Sequence, residues 1–195
     1  MVPVTSLRSV LRAALEQEPS PSPDPRDRLA AVLAPFVEGP EPSLVFTVRS
    51  SDLSRHAGEI SFPGGLQDPG EALSQTALRE AFEEIGLDPE TTDLVGALPP
   101  VHTTVSGILV VPFVGMLDSL PAFVVSEMEI EEVLTFSVSR LAEVERAVEV
   151  AREPGRVWHG FAYELEGHMI WGATGWMLHA LIEVIRKEAP WLIRT

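Results

Sequence analysis

Three closely spaced glutamates are the part of this sequence best suited to chemistry. Glu80, Glu83 and Glu84 lie in a segment with helical periodicity, and at about 100° per residue their side chains fall within an arc of about 100°. Like charges at this spacing repel one another, so the crowding gains nothing unless a cation binds there. Carboxylate oxygens are hard ligands, and this set suits Mg²⁺ or Mn²⁺. A solvated acidic helix face is the alternative explanation for the three glutamates alone.

The residues around these glutamates supply what a metal site needs from its neighbours. Gly64 and Gly65 permit a tight turn with positive φ and a close approach of the backbone to a ligand. Glu71 and Arg79 lie about two turns apart on roughly the same side of the helix, so either could orient the glutamates through a charge-assisted hydrogen bond. The other side carries an apolar stripe that would pack on a sheet. Its members are Leu73, Ala77, Leu78, Ala81 and Ile85.

The complete pattern of charged and glycine positions is specific. It runs Gly65, five residues, Glu71, seven residues, Arg79-Glu80-Ala81, one residue, Glu83-Glu84, one residue and Gly86-Leu87. Over residues 65–87 it resembles the Nudix box, the loop–helix–loop signature of Nudix hydrolases, with Ala81 standing where a larger aliphatic residue is commoner. The resemblance implies the Nudix fold, in which a mixed β-sheet lies between α-helices. It also implies Mg²⁺- or Mn²⁺-dependent hydrolysis of a nucleoside diphosphate linked to another group.

The resemblance assigns roles to residues of this chain. It implies that the metal ligands are Glu80, Glu83 and Glu84, with Gly64 included in the metal site. It also implies that the catalytic residues are Glu80, Glu83 and Arg79, with Glu80 or Glu83 as the general base. We call Glu80, Glu83 and Glu84 the box glutamates.

A second resemblance lies just upstream of the box. Residues 44–50 and 58–65 resemble the additional motif of the coenzyme A pyrophosphatase branch of the family, which joins directly onto the box. Ser54 stands where that branch has an arginine, and Arg55 follows it. Two further stretches, 110–115 and 170–174, fit the branch more loosely. The resemblance implies hydrolysis of the pyrophosphate of coenzyme A to 3′,5′-ADP and 4′-phosphopantetheine.

Charged residues outside the box helix could contact such a substrate. Arg49 and Arg55 flank the loop that leads into the glycine turn, and with Gly65 they are predicted to bind the substrate. Glu127 or Glu129 could reach a metal-bound water or act as a base from a distant loop, and Glu129 is assigned to the same site. Ordinary surface charge is the alternative for the arginines, and a solvated loop is the alternative for the acidic run 127–132.

Other functions stay open at this point. The box does not determine which base or leaving group the substrate carries, so ADP-ribose, a dinucleotide or a nucleoside triphosphate could be the substrate instead. A nucleotide-sensing module without turnover would be marked by the loss of box carboxylates, and none is missing. Three late tryptophans either pack in the core or stack on adenine, with the core interpretation preferred. They are Trp158, Trp171 and Trp176.

Composition narrows the class of protein and its partners. The 195 residues suit one domain over 1–195, with an N-terminal helix and a proline-rich tether within 1–25. The 14 basic and 29 acidic residues give a net charge of −15, which argues against nucleic acid and anionic membranes as partners. The absence of cysteine excludes thiol nucleophiles. With no targeting segment or apolar span, we expect a cytoplasmic monomer or homodimer that acts on a small molecule.

Periodicity predicts a mixed α/β fold in which a sheet is covered by helices on both faces, with an N-terminal helical extension. Gly86 is predicted to end the central helix. Helices are predicted over residues 5–17, 26–37, 71–85, 141–150 and 174–187. Strands are predicted over residues 44–49, 58–62, 94–98, 108–116, 133–138, 158–165 and 169–171.

Overall fold

Strands and helices are interspersed along the chain in the computed structural model, which describes residues 6–17, 19–24, 26–51, 58–103, 107–153 and 156–193. The helices are α1 (Leu7–Ala14), α2 (Leu73–Ile85), α3 (Val138–Val144) and α4 (Gly172–Glu188). The first strands are β1 (Arg28–Val37), β2 (Ser43–Arg49), β3 (Ile60–Ser61), β4 (Gly64–Leu66), β5 (Asp93–Ala97) and β6 (Val101–Thr103). The later strands are β7 (Ile108–Leu117), β8 (Ile130–Ser137), β9 (Glu145–Glu153), β10 (Arg156–Leu165) and β11 (His168–Ile170).

Most of these strands form one mixed sheet. Its central path runs β3-β2-β1-β7-β5, while β4 pairs with β1, β6 with β7 and β8 with β2. β1 and β7 run parallel along their whole length, from Arg28 opposite Ile108 to Val37 opposite Leu117. Both strands are apolar almost throughout, as expected for a sheet that is covered on both faces. The predicted fold class is therefore confirmed.

The sheet splits beside its centre, and the split holds the glycine turn. β1 and β2 pair only where Phe36 lies opposite Leu44 and Val37 lies opposite Ser43. Farther along, β2 pairs with β3 and β1 pairs with β4. Residues 60–66 therefore cross from one strand to the other, and the crossing is fixed where the Leu33 N–H donates to the Pro63 carbonyl oxygen at 2.8 Å.

Helices cover both faces of this sheet. On one face α2 buries Ala77, Ala81 and Ile85 against alternate residues of β1, including Ala31 and Leu33. The other face is covered by α4, by α1 and by a smaller antiparallel sheet of order β11-β10-β9. Because the buried residues of α2 fix the rotation of the helix, they also fix which way its acidic residues point.

The N-terminal helix is a packed part of the fold. Ser6 caps it by accepting a hydrogen bond from the Ser9 N–H, and Leu11 is fully buried. Arg8 forms ion pairs with Glu38 at 2.7 Å and with Asp93 at 3.5 Å. Residues 19–24 form neither helix nor strand, as the alternating prolines predict. No helix in the described part of the chain is both long and apolar enough to cross a membrane.

The structure corrects two predicted helices. Residues 26–37 contain strand β1, and the helical prediction there was wrong. Both faces of β1 are covered, and buried residues of this strand include Leu33, Ala34 and Phe36. Apolar residues therefore occupy nearly every position, and the sequence has no periodicity that would distinguish a strand from a helix. The helix predicted over 141–150 ends at Val144 and continues as β9, whose backbone pairs with β10. The short strands β4 and β6 were not predicted.

Candidate active site

α2 is the element that presents the box glutamates. Near its start, the Ala72 N–H donates to the Gln75 side-chain oxygen at 3.1 Å. At its end, Gly86 takes a left-handed φ of 69°, and its N–H donates to the Phe82 carbonyl oxygen at 2.9 Å. The prediction that Gly86 ends the helix is confirmed. The left-handed conformation is one that glycine adopts without a steric penalty.

The box glutamates differ in burial. The exposed fraction of the side chain is 55% for Glu83, 17% for Glu80 and 4% for Glu84. Burial raises the pKa of Glu84 to about 8 and also raises the pKa of Glu80. The compensation at Glu84 is small, because among the described residues it accepts a hydrogen bond from the Gly64 N–H at 3.2 Å and forms only a long ion pair with the Arg49 guanidinium, at 3.9 Å. A buried carboxylate next to a second one fits a bound cation, which would favour the charged form of both.

Arg79 forms hydrogen bonds with both the exposed and the less exposed carboxylates of this cluster. Its Nε donates to one oxygen of Glu71 at 2.9 Å, and its Nη2 donates to the other at 3.1 Å. Its Nη1 donates to Glu80 at 2.8 Å and to Glu83 at 3.0 Å. These hydrogen bonds from Arg79 hold the pKa of Glu71 at about 2, with a smaller contribution from Thr76. The orientation of the glutamates by Glu71 and Arg79, expected from spacing alone, is thus present in the structure.

Two glycines allow a close approach here. A Cβ atom on Gly64 would lie 2.4 Å from the Ala31 carbonyl oxygen, and one on Gly65 would lie 2.4 Å from the Glu80 carboxylate carbon. Gly65 does not have a positive φ, so a larger residue there would meet the Glu80 carboxylate and displace it rather than strain the backbone. The glycine turn therefore lies directly against the box glutamates.

Arg49 and Glu129 lie at the same edge of the sheet. The Ser50 N–H donates to the Glu129 carbonyl oxygen at 2.8 Å, beside the pairing of Arg49 with Ile130. The charge of Glu129 contributes to the raised pKa values of Glu80 and Glu84. The Nε of Arg49 is buried and makes no hydrogen bond within the described ranges. Arg55 and Ser54 lie within 52–57, outside the described residues.

The tryptophans do not follow the preferred core interpretation where the structure describes them. Trp171 is 43% exposed and Trp176 is 38% exposed. Trp176 packs edge-on against Phe161, with ring centroids 4.9 Å apart. The Trp158 side chain lies outside the described part of the structure.

A second polar cluster joins α4 to the smaller sheet, and no motif or spacing in the sequence predicted it. Ligand atoms of Glu145, His179 and Glu183 lie within 4.8 Å of one another. Glu145, however, accepts hydrogen bonds from Tyr163 at 2.6 Å, from His179 at 2.8 Å and from Arg186. Since the Arg186 guanidinium also contacts Glu183, positive charge is already present, and we interpret the cluster as structural.

The fold and the site together define a class of protein. A mixed sheet between helices carries, at a split in the sheet, a helix with three carboxylates beside a glycine turn. The family model described as the NUDIX domain matches residues 27–156. The chain therefore belongs to the Nudix family of hydrolases.

Relatives and solved structures agree with this assignment. The chain is 35% identical over 179 residues to the uncharacterized Nudix hydrolase NudL of Pectobacterium atrosepticum, covering 88% of this chain and 90% of that protein. It is 36% identical over 159 residues to NudL of Escherichia coli, covering 79% and 81%. The NUDIX domain of Shewanella oneidensis NrtR, solved with ADP ribose, is 17% identical with a TM-score of 0.54, covering 84% of this chain and 92% of that one. This last similarity shows the fold alone.

Proposed function

We propose that this chain hydrolyses the pyrophosphate of coenzyme A to 3′,5′-ADP and 4′-phosphopantetheine, using Mg²⁺ or Mn²⁺. The observation that carries the proposal is the position of Arg49. This residue belongs to the motif that resembles the coenzyme A branch, and its guanidinium lies 3.9 Å from Glu84. The upstream motif and the box thus contribute to one site.

The charge of the substrate supports a role for Arg49. Coenzyme A carries a pyrophosphate and a separate 3′-phosphate, whereas the chain has a net charge of −15. A divalent cation offsets the carboxylates at the pyrophosphate, but binding still gains from a cationic side chain nearby. The Nε of Arg49, buried and without a hydrogen bond among the described residues, supports its assignment as a substrate-binding group.

The reaction uses water as the nucleophile. In this proposal Glu80, Glu83 and Glu84 hold the metal, which when bound supplies activation of water and neutralises charge on the pyrophosphate. The water oxygen forms a new bond to one phosphorus of the pyrophosphate. The bond from that phosphorus to the bridging oxygen breaks, and the bridging oxygen leaves with its electron pair as part of the other phosphate. Glu83 or Glu80 accepts the proton of the water. Arg79 holds these two carboxylates in place through its hydrogen bonds to both.

A substrate panel tests the proposed specificity. Purified protein with Mg²⁺ is assayed on coenzyme A, dephospho-coenzyme A, ADP-ribose and NADH. We expect the highest kcat/KM on coenzyme A, and a lower value without the 3′-phosphate, because fewer cationic contacts remain. A preference for ADP-ribose would overturn the assignment to coenzyme A but leave hydrolase activity standing.

A charge-removing variant tests the proposed metal site. Glu83→Gln keeps the size of the side chain but removes the charge and the ability to accept a proton, so we expect kcat to fall by about 100-fold or more. The same change at Glu90, an exposed residue outside the site, provides the matched control and is expected to leave kcat unchanged. Near-normal turnover in Glu83→Gln would contradict the site assignment.

A further inference from the structure

We propose that Thr76 is a positioning residue of this active site. Its hydroxyl fixes Glu71, Glu71 fixes Arg79, and Arg79 in turn sets the positions of Glu80 and Glu83. The inference rests on the proposed metal-binding role of the box glutamates. Thr76 does not occupy any of the positions that the box pattern specifies, and the sequence alone does not indicate a role for it.

The first step is the hydrogen bond from Thr76 to Glu71. Thr76 is fully buried, and its Oγ1 lies 2.7 Å from Oε2 of Glu71 and 3.3 Å from the Ala72 carbonyl oxygen. A threonine hydroxyl has one hydrogen to donate. The charged acceptor at the shorter distance forms the stronger bond, so the hydroxyl donates to Glu71.

The second step is the orientation of the Glu71 carboxylate. Besides Thr76, it accepts from the Asp68 N–H at 3.2 Å and from the two nitrogens of Arg79. The Arg79 side chain is long and has its own rotamer freedom, while Thr76 is anchored in the buried face of α2. The hydroxyl therefore supplies the shortest bond from a rigid element to this carboxylate.

The third step passes this orientation to the box glutamates. With its Nε and Nη2 held by Glu71, the planar guanidinium of Arg79 directs Nη1 at Glu80 and Glu83, at 2.8 Å and 3.0 Å. A rotation of the Glu71 carboxylate would rotate the guanidinium with it and shift the two proposed ligands. Residues that orient metal ligands in this way typically affect metal affinity as well as turnover.

Three variants of the full chain separate positioning from simple packing. Thr76→Val removes the hydroxyl at nearly constant shape, whereas Thr76→Ser keeps the hydroxyl. Thr92→Val is the matched control, because Thr92 is 8% exposed and donates to the Asp88 carbonyl oxygen at 3.0 Å, away from the box glutamates. The measurements are Mn²⁺ binding by titration calorimetry, kcat and KM on coenzyme A, and thermal unfolding.

We expect Thr76→Val to weaken Mn²⁺ binding by about tenfold and to lower kcat more than it changes KM. Thr76→Ser is expected to recover most of both, and Thr92→Val to stay within twofold of the parent protein. If Thr76→Val proves unstable, Thr76→Ala and Thr76→Ser give a second pair that differs only in the hydroxyl. Equal Mn²⁺ affinity within either pair would overturn the inference.

The outcomes also separate this inference from the proposed function. Weakened Mn²⁺ binding in Thr76→Val, in a protein that does not hydrolyse coenzyme A, would support the positioning role and remove the proposed substrate. Full Mn²⁺ affinity in Thr76→Val, in a protein that hydrolyses coenzyme A and whose Glu83→Gln variant is inactive, would overturn the positioning role. It would leave the proposed function standing. Unchanged Mn²⁺ binding in Glu83→Gln would contradict the metal site on which both depend.

Discussion

Glu84 is the residue whose position is hardest to explain without a cation. Its side chain is 4% exposed, and an ionised carboxylate gives up favourable hydration when it is buried. Among the described residues, one backbone N–H and a guanidinium 3.9 Å away return only part of that free energy. Such an arrangement suits a binding site, where a ligand supplies the remaining charge, better than it suits a structural core.

Gly65 tests how closely the turn must approach the box glutamates. In Gly65→Ala the new Cβ would lie 2.4 Å from the Glu80 carboxylate carbon, so Glu80 must move. Because a displacement of about 1 Å at a reacting group can cost about 100-fold in rate, we expect kcat on coenzyme A to fall by about that factor. Steady-state kinetics on the variant check this.

Gly167→Ala serves as the control for that experiment. A Cβ on Gly167 would meet nothing within 4 Å, although its φ of +84° strains any other residue. We therefore expect Gly167→Ala to lose some stability but to keep its turnover per folded molecule. Equal losses of kcat in the two variants would show that contact with Glu80 is not the cause.

At the scale of elements, the end of α2 joins the box to a distant loop. The Val124 N–H donates to the Ile85 carbonyl oxygen at 3.0 Å, and the Ser126 N–H donates to the Glu84 carbonyl oxygen at 2.9 Å. The loop thereby satisfies carbonyl groups that a helix leaves free at its end. The same loop leads into Glu129, so the helix terminus also fixes the path of a proposed site residue.

This junction predicts an unusually large cost for Gly86→Ala. The substitution meets a left-handed φ, which costs about 1 kcal/mol, and its Cβ would lie 2.9 Å from the Val124 Cβ. Gly70→Ala is matched in φ, at +85°, but has open space around it. We expect Gly86→Ala to lower the free energy of unfolding by at least about 1 kcal/mol more than Gly70→Ala, measured by urea denaturation. Equal costs would mean that the loop does not press on the helix end.

Across the whole molecule, local sequence patterns predicted those features that depend on neighbouring residues alone. The period of α2 and the stop at Gly86 were visible because one helix face is buried and one residue needs a left-handed φ. β1 was assigned wrongly because its two buried faces leave no period to detect. The position of Arg49 in the chain and the resemblance placed it near the site, but its distance from Glu84 depends on strand pairing. The bond from Thr76 to Glu71 needs side-chain coordinates.

The cluster around Glu145 links distant parts of the chain and makes a prediction about acid stability. Burial acts to raise the pKa of Glu145, but hydrogen bonds from Tyr163, His179 and Arg186 outweigh it and hold this pKa below its ordinary value of 4.5. A lowered pKa in the folded state means that the ionised form stabilises the fold. This contribution is present above pH 4.5 and is lost as the pH falls through the folded pKa.

The variant Glu145→Gln isolates this contribution. At pH 7 we expect it to lower the free energy of unfolding by about 2 kcal/mol, because three hydrogen bonds lose a charged acceptor. As the pH falls from 4.5 through the lowered pKa of Glu145 in the folded protein, the parent protein loses the benefit of this charge, so the difference between the two proteins should narrow. Urea denaturation across a pH series measures it, with Glu164→Gln as the control because its pair with Arg146 is exposed and such pairs contribute little. A difference that stayed constant with pH would show that shape, and not charge, holds α4 against the smaller sheet.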